Sequence, residues 1–185
     1  MKKIQNLINQ LFEETKKGKD AFKRNMEIKE DLVRFCAEIF SPALEKLRAL
    51  KKENSPFLSS KRSTCGSPVF HLIDAMTQVS EPKHAKDLAE ILLWEEIAVQ
   101  GKDRSQRCIL LDAIGRNGDK TVIPLLQEFA EKVKRVYYEE VKGVCYADFE
   151  DRDPETGELE TIPAEMYYKW DQEEIVRTIA ACQAR

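Results

Sequence analysis

The side chains of this chain best suited to chemistry are two histidines, five cysteines and a run of carboxylates. His71 and His84 lie 13 residues apart on what read as successive helices, so a turn between them can bring the two imidazoles near each other. Neither belongs to a HExxH pair, and no histidine–carboxylate set has metal-ligand spacing. Lone helical histidines are usually structural or solvated. Cys36, Cys65, Cys108, Cys145 and Cys182 are never closer than 29 residues, without a CxxC, so neither a zinc site nor a disulfide framework is signalled. We expect free and mostly buried thiols. The carboxylates Asp148, Glu150, Asp151, Asp153, Glu155, Glu158 and Glu160 lack the fixed oxygen spacing around a central glycine that a calcium loop requires, and read as a solvated hairpin edge. No GxSxG, Walker-type loop or GxGxxG occurs. On these grounds no catalytic residue, metal ligand or cofactor is assigned.

The elements that would position these groups are mostly helical. Charged residues make up 34% of the chain, which suits amphipathic helices with long solvated faces, and 7 Gly with 7 Pro are too few for a turn-rich β protein. A net charge of −3 argues against nucleic acid, whose phosphates usually call for a basic excess. The basic groups Lys16, Lys17, Lys19, Lys23 and Arg24, and Lys61 with Arg62, read as solvated faces. Ile4, Leu7, Ile8, Leu11 and Phe12 follow helical spacing rather than a signal-peptide core, and no apolar run is long enough to span a membrane. The default location is cytoplasmic.

Periodicity predicts helices over 3–17, 20–40 and a short third one from Pro42, forming an N-terminal helical unit over 1–53. Residues 54–68 read as a loop or linker. Further helices are expected over 69–79, 82–100, 104–115 (with Asp103 and Gln106 as a capping box), 120–141 and 165–184. A β-hairpin is expected within 143–163, turning at Asp153-Pro154-Glu155-Thr156-Gly157.

Sliding the chain by 38 residues pairs 71–92 with 109–130. Leu72/Leu110, Asp74/Asp112, Ala75/Ala113, Leu88/Leu126 and Glu90/Glu128 are identical, and the apolar positions fall in phase. The stretch from Ile114 through Gly115, Arg116, Asn117, Gly118 and Asp119 to Val122, Ile123, Pro124, Leu125 and Leu126 resembles the turn of HEAT repeats, in the phycobilisome-lyase-like variety. That pattern runs Leu-Gly-x-Ile-Gly-Asp, a short gap, then Ala-Val-Pro-x-Leu. Asn117 replaces the usual apolar residue, a departure expected to loosen the turn. The earlier copy has Thr77, Ser80 and Glu81 where Gly, Gly and Asp stand, and Ile175 to Ala181 looks like the first helix of a third copy. Gly115 and Gly118 are expected to let the backbone turn sharply, and Asp119 or Thr121 to cap the next helix.

The resemblance implies an all-α fold: an α-α superhelix of HEAT-like hairpins over 69–185, carrying the small β-hairpin. It also implies that second helices of hairpins line a concave surface, where Trp94, Arg135 and Tyr138 would be partner-binding residues, although Trp94 reads equally well as a residue that completes the core. We therefore expect a non-catalytic scaffold whose partner is another protein. An enzyme or accessory on the same scaffold, DNA-base glycosylase-like or chromophore-lyase-like, is the alternative, with Trp94 beside Glu95 and Glu96 the fragment that fits the former. The last helix has no following partner, which leaves a homo-oligomer through it as a third expectation.

Overall fold

The computed structural model describes residues 2–13, 19–58, 67–94, 97, 105–138, 149–152 and 159–185. These residues are all-α in class, dominated by α1 (Lys2–Leu11), α2 (Lys19–Val33), α3 (Phe40–Lys52), α4 (Pro68–Gln78), α5 (Ala85–Leu92), α6 (Ser105–Asn117), α7 (Ile123–Tyr138) and α8 (Ala164–Gln183). Two short strands, β1 (Phe149–Arg152) and β2 (Leu159–Ile162), pair antiparallel with Phe149 opposite Ile162 and Arg152 opposite Leu159. The expected Asp-Pro turn between them lies outside the described residues.

Each helix buries one stripe and stops for a local reason. Ile4, Ile8 and Leu11 of α1 are buried, and the chain leaves the helix there, earlier than periodicity suggests. Arg24 of α2 caps that end, donating to the carbonyls of Gln10 at 2.7 Å and Glu13 at 3.0 Å. The helix expected over 20–40 ends at Val33. Cys36 then takes a positive φ of 51°, and a 3-10 turn over Cys36–Ile39 leads the chain round a corner that buries both Ile39 and Phe40. The stretch read as a linker contributes a 3-10 turn, Pro56–Leu58, which buries Leu58 and sets Phe57 edge-on to Phe12 at 5.3 Å. Ser67 caps α4, its hydroxyl accepting from Phe70 N at 3.1 Å with Pro68 in the first turn. The buried apolar residues form one cluster running from Ile4 to Cys182.

Helices pack in two rows. In one, α2 lies against α4, α4 against α6 and α6 against α8; in the other, α5 lies against α7, and ion pairs from Arg48 of α3 reach Asp87 and Glu90 of α5.

The junctions at either end of the 38-residue offset share one local geometry. Glu81 and Asp119 are extended, Pro82–His84 and Lys120–Val122 are 3-10 turns, and α5 and α7 start at Ala85 and Ile123. The 3-10 turns explain why both helices begin later than periodicity suggests. The caps are chemically different. At the second junction Asp119 accepts from Thr121 N at 2.8 Å; at the first, His84 Nδ1 accepts from Glu81 N at 3.1 Å.

Equivalent pairs of carbonyls, 38 residues apart, are capped by side chains at the C-terminal end of the next helix in the row or just beyond it. Arg116 donates to the Thr77 carbonyl at 3.3 Å, and Asn117 Nδ2 to the Ser80 carbonyl at 3.1 Å and hydroxyl at 2.8 Å. Arg185 donates to the carbonyls of Gly115 at 2.7 Å and Gly118 at 3.1 Å. Asn117 thus ties two turns together instead of loosening one.

The two glycines of the motif do different work from that expected. Neither takes a left-handed φ. Gly115 lies in the last turn of α6, where an added Cβ would meet only Thr178, at 3.8 Å. At Gly118 a Cβ would fall 2.7 Å from the Ile114 carbonyl oxygen and 2.9 Å from both Cys182 Sγ and Val122 Cγ2. Gly118→Ala should therefore cost about 1–3 kcal/mol through overpacking, whereas Gly115→Ala should be neutral or stabilising by about 0.5–1 kcal/mol. Urea unfolding of the two variants checks this; equal effects would refute the close-approach argument.

Candidate interaction surface

The second row of helices presents a face built by α3, α5 and α7. Trp94 follows α5, its backbone held by a hydrogen bond to Ile91 O at 3.0 Å. Its ring is half-buried against the core, and the Lys51 ammonium of α3 stands 4.9 Å above its centre. Trp94 is thus partly core and partly covered, not a bare anchor. Lys132 of α7 donates to the Leu93 carbonyl at 2.8 Å, satisfying an acceptor beyond the end of α5. Arg135 lies three residues on from Lys132 and is exposed. Tyr138 ends α7, and its side chain lies outside the described residues, as do Glu95, Glu96 and Asp103. Asp87 and Glu90 of α5 face Arg48, at 2.9 and 3.4 Å. The face therefore carries the Arg48 ion pairs in its middle, with Arg135 exposed to solvent at one side.

The histidines occupy separate contacts. His71 on α4 is fully buried, with neither ring nitrogen hydrogen-bonded. Its ring lies edge-on to Phe22 and Phe70, at 5.7 and 5.6 Å. Burial and the nearby Lys29 ammonium push its pKa down to about 4, partly offset by Asp74, so it is neutral. Lys29 of α2 and Asp74 of α4 are themselves ion-paired at 3.0 Å. His84 stacks flat on Phe40 at 3.7 Å and, through burial and Lys83, also titrates below its usual range. Its role is the cap on Glu81.

Among the described cysteines, Cys182 is buried and burial raises its pKa, Cys108 is half-buried, and Cys36 is exposed, contrary to expectation. The corner at Cys36 turns that side chain to solvent. Cys65 and Cys145 lie outside the described residues, as do the basic residues Lys16, Lys17, Lys61 and Arg62.

Two features escape sequence reasoning. Arg107 of α6 and Asp171 of α8 are paired at 3.0 Å with side chains only 1% and 2% exposed. A signal is present: Asp171 is in phase with Ile175, Thr178 and Cys182, the buried stripe of α8. Beside this pair, Cys108, Trp170, Glu173, Glu174 and Arg177 line a groove of about 370 Å³. Its charges are partly matched, since Arg177 donates to Glu174.

Among the described residues, no group of three or more His, Cys, Asp or Glu side chains is placed to hold a metal ion. No described helix is long and apolar enough to cross a membrane. No family model, curated protein or solved structure matches the chain.

Proposed function

We propose that the chain is a HEAT-like α-α superhelix acting as a non-catalytic scaffold, which binds another protein through the α3–α5–α7 face. The observation that carries this reading is the recurrence of one junction after 38 residues, with equivalent carbonyls capped each time from the C-terminal end of the following helix or just beyond it. Units that repeat in this way cover their apolar faces by stacking on neighbours, and the stack offers an extended binding face. The ribbon β1–β2 would be an insertion ahead of α8.

Arg135 is the exposed anchor of this reading, and Trp94 and Tyr138 would complete it. With the partner captured by crosslinking and then purified, Arg135→Glu should weaken its binding about tenfold or more, with an unchanged melting temperature. Unaltered affinity in this variant and in Trp94→Ala would refute the assignment of the face. The glycosylase-like alternative predicts salt-sensitive binding to duplex DNA, and a fluorescence-anisotropy titration that showed it would favour that alternative over the scaffold.

A further inference from the structure

We infer that α8 is also a self-association surface, on which two copies of this chain pair antiparallel about a two-fold axis. Asp171, Ile175, Thr178 and Cys182 face inward on α8, and the opposite side carries Met166, Lys169, Glu173, Val176, Ala180 and Gln183, all exposed. These six recur with spacings of three and four residues, the heptad stripe by which one helix packs along another. Of the large apolar side chains exposed among the described residues, Phe22, Met166 and Val176, two lie on this stripe.

The occupant follows from the order of residues along the stripe. A two-fold axis at the level of Asp171 sets Met166 of one copy against Val176 of the other, each five residues from the axis level. It sets Lys169 against Glu173, each two residues from that level. Apolar thus meets apolar and cation meets carboxylate, and the symmetry supplies every contact twice. In a heptad these pairings are also the ones an antiparallel helix pair requires, first core position against second. Neither Lys169 nor Glu173 has an ion-pair partner among the described residues that would compete. With the axis at Asp171 the two helices overlap over residues 164–178, about 22 Å, and Ala180 and Gln183 extend past the end of the partner helix. An interface of that length is at the small end of specific ones, so association is weak and concentration-dependent. This inference is independent of the scaffold reading.

Sedimentation equilibrium from low micromolar to near millimolar chain tests it. Wild type should pass from monomer to dimer, less readily in high salt. Lys169→Glu and Glu173→Lys should each weaken association about tenfold or more, because like charges then face each other twice. The doubly substituted chain, with the charges exchanged, should recover to within a few fold of wild type. Both sites of substitution are on the solvent side, and circular dichroism melts check that the variants stay folded. A wild-type chain that is monomeric throughout overturns the inference and hands the stripe to another occupant. So does failure of the exchanged chain to recover, or a single substitution without effect.

Discussion

Replacing Asp171 with alanine should destabilise the fold by about 3–5 kcal/mol, because it leaves the Arg107 guanidinium charged in the core. Both side chains are almost wholly out of water, and the pair joins α6 to α8 at 3.0 Å. Desolvating two charges costs so much that their attraction does little more than offset it, so the pair contributes modest net stability. What is expensive is half a pair. Arg107→Met together with Asp171→Leu should therefore lie within about 2 kcal/mol of wild type, far above either single variant. Urea unfolding of the four chains measures this as a coupling energy. Additive losses in the double variant would show that the two groups do not act as a pair.

Acid should reveal the second large effect. The pKa of His71 falls from 6.5 to about 4 on folding, so between those values the unfolded chain binds a proton that the folded chain refuses. Stability therefore drops as pH falls from 6.5, and this contribution to the loss is complete below about 4. The shift corresponds to about 3–4 kcal/mol at most, at roughly 1.4 kcal/mol per pKa unit. His71→Phe keeps a ring of similar size between Phe22 and Phe70 while removing the titration. Its stability should fall less steeply across that window than that of wild type, with His84 present in both. Parallel stability–pH curves would mean that the buried imidazole does not govern this part of the profile.

The helices are largely legible because their stripes are regular: Ile4, Ile8 and Leu11, or Leu88, Ala89 and Leu92, announce buried faces by spacing alone. The junction at Asp119 is legible as well, since an aspartate before a helix start has one familiar use. What escapes notice depends on tertiary contacts. The corner at Cys36 exists to bury Ile39 and Phe40, and a helical pattern runs through it without interruption. His84 serves as a cap although histidine is seldom assigned that role. Arg107 and Asp171 stay hidden because a charge within an apolar stripe looks like an error in phase until its partner is known. Asn117 looks like a defect in the repeat, and only the neighbouring turn at Ser80 shows what it holds. Of the α3–α5–α7 face, the order of the helices follows from the 38-residue pattern, whereas Lys51 over Trp94 does not.

If the junctions at 82–84 and 120–122 are interchangeable positions in a stack, the fold should accept a second copy of residues 85–122 inserted after position 122. A stack lengthened by one unit keeps every neighbour relation it had. The longer chain should be monomeric at low concentration, gain helix by circular dichroism in proportion to its added length, and unfold cooperatively at or above the wild-type melting temperature. A closed bundle has no place for an extra pair of helices. An aggregated chain, or one whose added residues contribute no helix and whose unfolding is no longer cooperative, would contradict the account.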